Sequence, residues 1–94
     1  MTSDFDQVHN HHEAAVFAAV LEMAARYPTL QEADLLGDVA CIALNRLPPR
    51  YIRHEADFAF YLSDTERAEN AAAVDKAVVA AFAFMLTRVQ LGSR

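Results

Sequence analysis

Three arginines within eight residues are the clearest chemical feature of this 94-residue chain. They surround two consecutive prolines, and a tyrosine and a histidine lie beside them in the sequence. The residues of this segment with chemically active side chains are Arg46, Arg50, Tyr51, Arg53 and His54. A guanidinium group binds the oxygens of an anion such as phosphate through two parallel hydrogen bonds. The local excess of positive charge therefore indicates a place that holds a small anion.

The chain as a whole is acidic, with a formal net charge of −5. A negative surface disfavours duplex DNA and anionic lipid, so we expect neither as a partner. The acidic start lacks the basic region and apolar core of a signal peptide, and charged residues interrupt the apolar stretches. These features predict a cytoplasmic protein. Cys41 is the only cysteine, which excludes an intramolecular disulfide, and its apolar helical neighbours predict a buried, inert thiol.

Two helices are expected before the arginines. Asn10 and Glu13 form a capping-box pattern that starts a helix ending near Tyr27, and residues 1–9 are expected to be frayed. A second such pattern, Thr29 with Glu32, predicts a helix over residues 30–46 that Pro48 and Pro49 terminate. Gly37 lies inside this helix, and we attribute it to close packing against another helix.

The second half of the chain predicts a short extended segment followed by one long helix. Aromatic and branched residues at 51–52 and 58–61 favour extended chain or a short strand, although the sequence alone leaves strand or helix open. Ser63 and Glu66 then form a capping-box pattern that starts a helix over residues 64–91, roughly 40 Å long at about 1.5 Å per residue. A helix of this length is longer than a small core can cover along one side. Its apolar positions predict a dimer contact: Ala71, Val74, Val78, Phe82, Met85 and Val89.

The predicted fold is therefore a single all-α domain over residues 1–94, with three main helices and a short extended segment, paired as a homodimer through the C-terminal helix. Only 2 glycines and 3 prolines are present, which gives little turn chemistry for a many-stranded β fold.

The run from Ala43 to Tyr51 reads Ala-Leu-Asn-Arg-Leu-Pro-Pro-Arg-Tyr, and Asp38 precedes it. This pattern resembles the ComFB family of late-competence regulatory proteins, whose recurring motif is an Asp, an apolar helical turn and Ala-Leu-Asn-x-Leu-Pro-Pro-x-Tyr. The upstream pattern of Asn10, Glu13 and Val16 is also similar to the family's first helix. Some members carry a cysteine cluster before the Asp that suits zinc. This chain has none there, so no metal site is expected.

The resemblance implies a helical homodimer and, as in several members, a receptor for cyclic dinucleotides, cyclic-di-GMP above all. A downstream protein partner is also implied, and no cofactor. The expected ligand-binding residues are Asp38, Asn45, Arg46, Arg50, Tyr51, Arg53 and His54. The competing hypothesis is a dimeric interaction module without a small ligand, in which the aromatic residues 58–61 recruit a protein.

Most of these residues also have a structural explanation that the sequence leaves open. Arg46 can neutralise carbonyls at a helix C-terminus, and Asn45 can cap that end in a left-handed conformation. Tyr51 can belong to the core, and Asp38 can pair with an arginine.

Other clusters point less clearly to chemistry. His9, His11 and His12 invite a metal interpretation with Glu13, but a frayed terminus lacks fixed geometry, so solvated side chains are the better prediction. Pairing Asp38 with His54, or Glu55 with Asp57, would give acid–base pairs. The sequence contains no glycine-rich phosphate loop, Ser/His/Asp arrangement or HExxH motif, and we expect no enzyme activity.

Overall fold

The structure, a computed structural model, describes residues 4–92, and within them it is mostly α-helical. Four α-helices and one pair of two-residue strands follow each other along the described chain. In chain order they are β1 (His9–Asn10), α1 (His12–Met23), α2 (Ala33–Arg46), β2 (Tyr51–Ile52), α3 (Glu55–Tyr61) and α4 (Asp64–Gln90). Two single 3-10 turns, Ala24–Arg26 and Pro28–Leu30, connect α1 to α2. The all-α prediction is confirmed.

The core lies where α4 packs against α1 and α2. Phe82 of α4 is fully buried and its ring stacks on Tyr27 with centroids 4.3 Å apart. Burial of one such side chain contributes about 1.5–3 kcal/mol. Four of the apolar positions predicted for a dimer contact are buried within this single chain: Val74, Val78, Phe82 and Met85. A dimer through α4 would therefore need its other faces.

Two of the three predicted capping boxes form. The Ser63 hydroxyl accepts a hydrogen bond from the Glu66 backbone amide at 3.1 Å, and α4 begins at Asp64, directly after Ser63, as predicted. At the start of α1, the Asn10 side-chain oxygen accepts from the amide of His12 at 3.1 Å. The Asn10 amide donates in return to the Glu13 carboxylate at 3.2 Å. Both helices thus have backbone donors of their first turn satisfied locally.

The third predicted capping box is wrong. Residues Pro28–Leu30 form a 3-10 turn, and α2 starts only at Ala33 without a side-chain cap. Leu30 is fully buried, and the side-chain amide of Gln31 donates to the backbone carbonyls of Ala24 and Tyr27. The chain therefore turns tightly around the end of the first helix before α2 can begin.

The packing explanation for Gly37 is also wrong. A Cβ built at this position would meet nothing within 4 Å, so no neighbouring helix requires a glycine here.

The segment between α2 and α4 is part strand and part helix. Residues Tyr51–Ile52 are extended, as expected, and they pair antiparallel with β1 in the register His9 to Ile52 and Asn10 to Tyr51. The expectation of extended chain at residues 58–61 is wrong, because they belong to α3. Acidic residues in the first turn of α3 favour a helix there, because they complement the positive end of the helix dipole.

Pairing of β1 also corrects the prediction that residues 1–9 are frayed, because His9 is held in the strand. Residues 1–3 lie outside the described part of the chain. Among the helices of residues 4–92, none combines the length and apolar character needed to cross a lipid bilayer.

Candidate functional site

A rigid bend follows α2, and the N-terminal segment holds it in place. Leu47 is buried and extended, and two prolines follow it. The Asn10 side-chain oxygen accepts a second hydrogen bond, from the Arg50 amide at 3.3 Å, and the His11 amide donates to the Arg50 carbonyl at 2.7 Å. Asn10 is only 8% exposed. The backbone of Arg50 is therefore fixed on both sides of its Cα atom.

The Arg50 side chain lies on an aromatic ring of α3. Its guanidinium carbon is 4.6 Å from the centroid of the Phe58 ring, a cation–π distance. The His11 ring approaches the same Phe58 ring edge-on at 4.4 Å. Phe58 thus connects the first strand, the bend and α3, and it limits the positions that the Arg50 guanidinium can take.

Two histidines bind α3 through one carboxylate. Glu55 accepts from His9 Nε2 at 3.1 Å and from His11 Nδ1 at 3.2 Å. The other His9 nitrogen, Nδ1, lies 2.7 Å from the Gln7 carbonyl oxygen. Both His9 partners are pure acceptors, so this arrangement favours the ring form that donates from both nitrogens, which is the cation. The Gln7 carbonyl and then Glu55 raise the pKa of His9, and the hydrogen bond from His9 lowers the pKa of Glu55.

His12 is buried at the start of α1, which corrects the prediction of a solvated side chain. Burial lowers its pKa, although the hydrogen bond that its ring donates to the Pro48 carbonyl opposes the shift. A neutral His12 ring therefore anchors the first proline of the bend. None of His9, His11 and His12 belongs to a cluster with metal-binding geometry among residues 4–92.

Two concavities lie between the bend and α4. The first, of about 330 Å³, is lined by Arg46 and Lys76 as its charged residues, beside Leu47, Pro48, Ala73, Ala77 and Ala80. The second, of about 320 Å³, is lined by His12, Arg50, Glu69 and Asn70, beside Leu47, Pro48, Pro49 and Ala73. Since Leu47, Pro48 and Ala73 belong to both, the two concavities adjoin. Arg46 and Arg50 thus face neighbouring parts of one surface.

A third concavity, of about 420 Å³, contains two further predicted residues, Asn45 and Tyr51, together with Asn10 and Glu13. Tyr51 is 68% exposed, so the interpretation as a core residue is wrong. Asn45 lies within α2, where its side chain donates to the Cys41 carbonyl at 3.0 Å. No residue but Gly92 has a positive φ within 4–92, so the left-handed cap predicted for Asn45 is also wrong.

The remaining predicted residues lie outside these three concavities. Asp38 is exposed on α2, and no ion pair involves it within the described chain. Arg53 is exposed after β2, and His54 precedes α3, where its carbonyl accepts from the Phe58 amide at 3.1 Å. The structure therefore brings Arg46 and Arg50 to one surface, puts Asn45 with Tyr51 beside it, and leaves Asp38, Arg53 and His54 apart.

Sequence reasoning missed three residues of this surface, Glu69, Asn70 and Lys76. All three belong to α4 and occur where its apolar pattern is interrupted. That interruption marks a helix face with polar residues, but only the packing of α4 on α2 shows that this face meets the bend.

A groove of about 330 Å³ between α1 and α2 has a different character, because its lining is apolar apart from a thiol. Leu21 is 70% exposed beside it, and Phe17, Leu36, Gly37 and Cys41 also line it. The prediction of a buried Cys41 is therefore wrong, since the thiol lies on the surface between two concavities. Phe60 and Tyr61 of α3 form a second exposed aromatic surface.

Comparison with known proteins gives one match. The family model for the late competence development protein ComFB matches residues 9–88 of the 94-residue chain. That range includes the bend, both strands and nearly all of α4. No curated protein and no solved structure matches the chain.

Proposed function

The chain belongs to the ComFB family of late competence development proteins, which indicates a competence-related regulatory protein, and on this premise we propose that it is a receptor for cyclic-di-GMP. The ligand occupies the two adjoining concavities between the bend and α4. The role of the protein is to bind this ligand and to signal to a downstream protein, and not to catalyse a reaction.

One observation carries this proposal: the two arginines flanking Leu47 to Pro49 face adjoining concavities that share three wall residues. A cyclic dinucleotide presents two phosphates close together, and guanidinium groups bind phosphates through charge-assisted hydrogen bonds. The charged residues of the first concavity, Arg46 and Lys76, are both cations, although the chain as a whole carries a net charge of −5.

The first concavity suits a phosphate best. Arg46 and Lys76 are its charged residues, and no carboxylate lines it. Neither cation has an ion-pair partner within residues 4–92, so both are available to an anion. Ala73, Ala77 and Ala80 have small side chains, which let a ligand approach α4 closely.

Isothermal titration calorimetry with cyclic-di-GMP tests the proposal. Arg46→Ala and Arg50→Ala are each expected to weaken binding by roughly tenfold to a hundredfold, because each removes charge-assisted hydrogen bonds worth about 1.5–3 kcal/mol. Arg26→Ala is the matched control, since Arg26 is exposed near the end of α1 and lines neither concavity. Absence of heat with the unchanged protein at high micromolar ligand would refute the receptor. Arginine variants that bind as tightly as the control would refute the placement of the ligand in these two concavities.

A second candidate function is an interaction module without a small ligand. It is favoured by the apolar groove around Phe17 and Leu21, and by Phe60 and Tyr61, which are 83% and 81% exposed. Exposed apolar surface of this kind is typical of protein contacts. In this case affinity capture recovers the same protein partner with and without cyclic-di-GMP, and the Arg50→Ala variant recovers it equally well.

A further inference from the structure

The second concavity differs from the first in its charge. Arg50 contributes a cation, Glu69 a carboxylate and Asn70 an amide, whereas the charged groups of the first concavity are cations alone. A carboxylate repels a phosphate at close range. The second concavity therefore suits the uncharged part of a nucleotide, which is its base.

Two parts of the fold line this concavity. Glu69 and Ala73 are four residues apart on α4, and both line the concavity, so one face of the helix contributes to its wall. Arg50 comes from the bend, where its backbone hydrogen bonds and the Phe58 ring hold it in place. Because the backbone of the bend is held in this way, it loses little conformational entropy when a ligand binds.

Glu69 and Asn70 have unused hydrogen-bonding capacity. Within residues 4–92 neither side chain makes a hydrogen bond or ion pair, and the Arg50 guanidinium lies over the ring face of Phe58. The concavity thus offers two carboxylate acceptors, a fork of guanidinium donors and one amide.

Guanine presents the complementary groups. Its N1–H and N2–H₂ donate in parallel from one edge, and its O6 and N7 accept on another, where an arginine binds bidentately. Adenine has a lone pair at N1, where a carboxylate would be repelled, and it has an amino group where the arginine requires an acceptor.

We propose that the concavity formed by Arg50, Glu69 and Asn70 is a guanine-selective base subsite, with Glu69 as the residue that discriminates guanine from adenine. The proposal rests on the receptor function proposed above and assigns its selectivity. The phosphates then lie beside Arg46 and Lys76 in the adjoining concavity.

Titration calorimetry with both cyclic-di-GMP and cyclic-di-AMP tests this assignment in the full chain and in Glu69→Gln. The unchanged protein is expected to bind cyclic-di-GMP at least roughly tenfold more tightly than cyclic-di-AMP. Glu69→Gln is expected to weaken cyclic-di-GMP binding by roughly tenfold while leaving cyclic-di-AMP binding unchanged or slightly tighter. Glu22→Gln, the same change at an exposed position of α1, is the control and should match the unchanged protein.

The outcomes separate the two proposals. If the unchanged protein binds cyclic-di-GMP but Glu69→Gln keeps the same affinity for both ligands, the base subsite is wrong and the receptor stands. Equal affinities of the unchanged protein for both dinucleotides would also overturn the subsite, and so would an equal loss for both in Glu69→Gln. If neither dinucleotide binds to the unchanged protein, the receptor function itself fails and the subsite with it.

Discussion

Replacement of Asn10 by alanine should destabilise the whole protein, because one side-chain oxygen serves two separate parts of the chain. The Asn10 oxygen accepts from the His12 amide at 3.1 Å and from the Arg50 amide at 3.3 Å. The first hydrogen bond starts α1, and the second holds the bend 40 residues away. Alanine leaves both amides without a partner in a region where Asn10 itself is buried.

The expected size follows from these two hydrogen bonds. Each contributes about 1 kcal/mol net, and a donor left buried without a partner costs about 1–3 kcal/mol. We therefore expect the free energy of unfolding to fall by about 2–3 kcal/mol in Asn10→Ala. For a domain of this size, each kcal/mol corresponds to about 4–8 °C in the melting temperature. Few single surface substitutions reach this loss, since most stay within about 0.5 kcal/mol.

Urea unfolding followed by far-ultraviolet circular dichroism measures the change. Asn45→Ala is the matched control, because Asn45 makes one exposed hydrogen bond within α2 and its loss should change stability by about 0.5 kcal/mol or less. Asn10→Asp keeps the accepting oxygen and should recover most of the stability lost in Asn10→Ala. If Asn10→Ala and Asn45→Ala have the same unfolding midpoint, the account of Asn10 as the residue that joins α1 to the bend is wrong.

Three further predictions concern titration and assembly. The His9 ring should titrate above its ordinary pKa when followed by NMR, and Glu55→Gln should bring the midpoint down without restoring it fully, because the Gln7 carbonyl remains; an unchanged midpoint in Glu55→Gln would contradict the ion pair. The raised pKa means that the folded chain holds this proton more tightly than the unfolded chain. The pair of His9 and Glu55 therefore contributes most to stability below about pH 6.5, and this contribution is lost as pH rises through the pKa of His9 in the folded protein. His12 has the opposite sign: its pKa is lowered by burial, so the unfolded chain binds the proton more readily and stability should fall as pH drops below about 6.5. Because His9 acts in the opposite direction over the same pH range, the test is the difference between two proteins: acidification should lower the urea midpoint more in the unchanged protein than in His12→Asn, and equal slopes would refute it. Sedimentation should give a dimer for the unchanged chain and a monomer for Phe84→Glu, because Phe84 is exposed on α4 and Leu91, seven residues later, is exposed directly after the end of that helix. Dissociation by Leu21→Glu instead would place the contact at the groove between α1 and α2.

Local signals in the sequence predicted most of the helices. Ser63 with Glu66, and Asn10 with Glu13, make the hydrogen bonds that their spacing indicates, because a capping box depends only on residues within one turn. Thr29 with Glu32 has the same spacing but fails, since burial of Leu30 imposes a different turn there. The periodicity of α4 marked Val78 and Phe82 as apolar positions and assigned them to a dimer contact, but the structure buries them in the core of the single chain.

Long-range contacts account for what the sequence could not predict. The pairing of β1 with β2 joins residues about forty positions apart. Of the residues predicted for the site, Arg46 and Arg50 line adjoining concavities, and Glu69 and Lys76, which line these concavities with them, come from α4. No pattern in the sequence aligns those α4 positions with the earlier bend, because only tertiary packing does so.

The most direct test of the receptor account is a two-dimensional ¹H–¹⁵N NMR titration of the uniformly labelled 94-residue protein with cyclic-di-GMP. The account predicts saturable shifts concentrated at residues 46–50 and on the face of α4 that carries Glu69, Ala73 and Lys76. Amides of the apolar groove, such as those of Phe17 and Leu21, should change least. A spectrum that does not change at saturating ligand, or shifts confined to the apolar groove, would contradict the account.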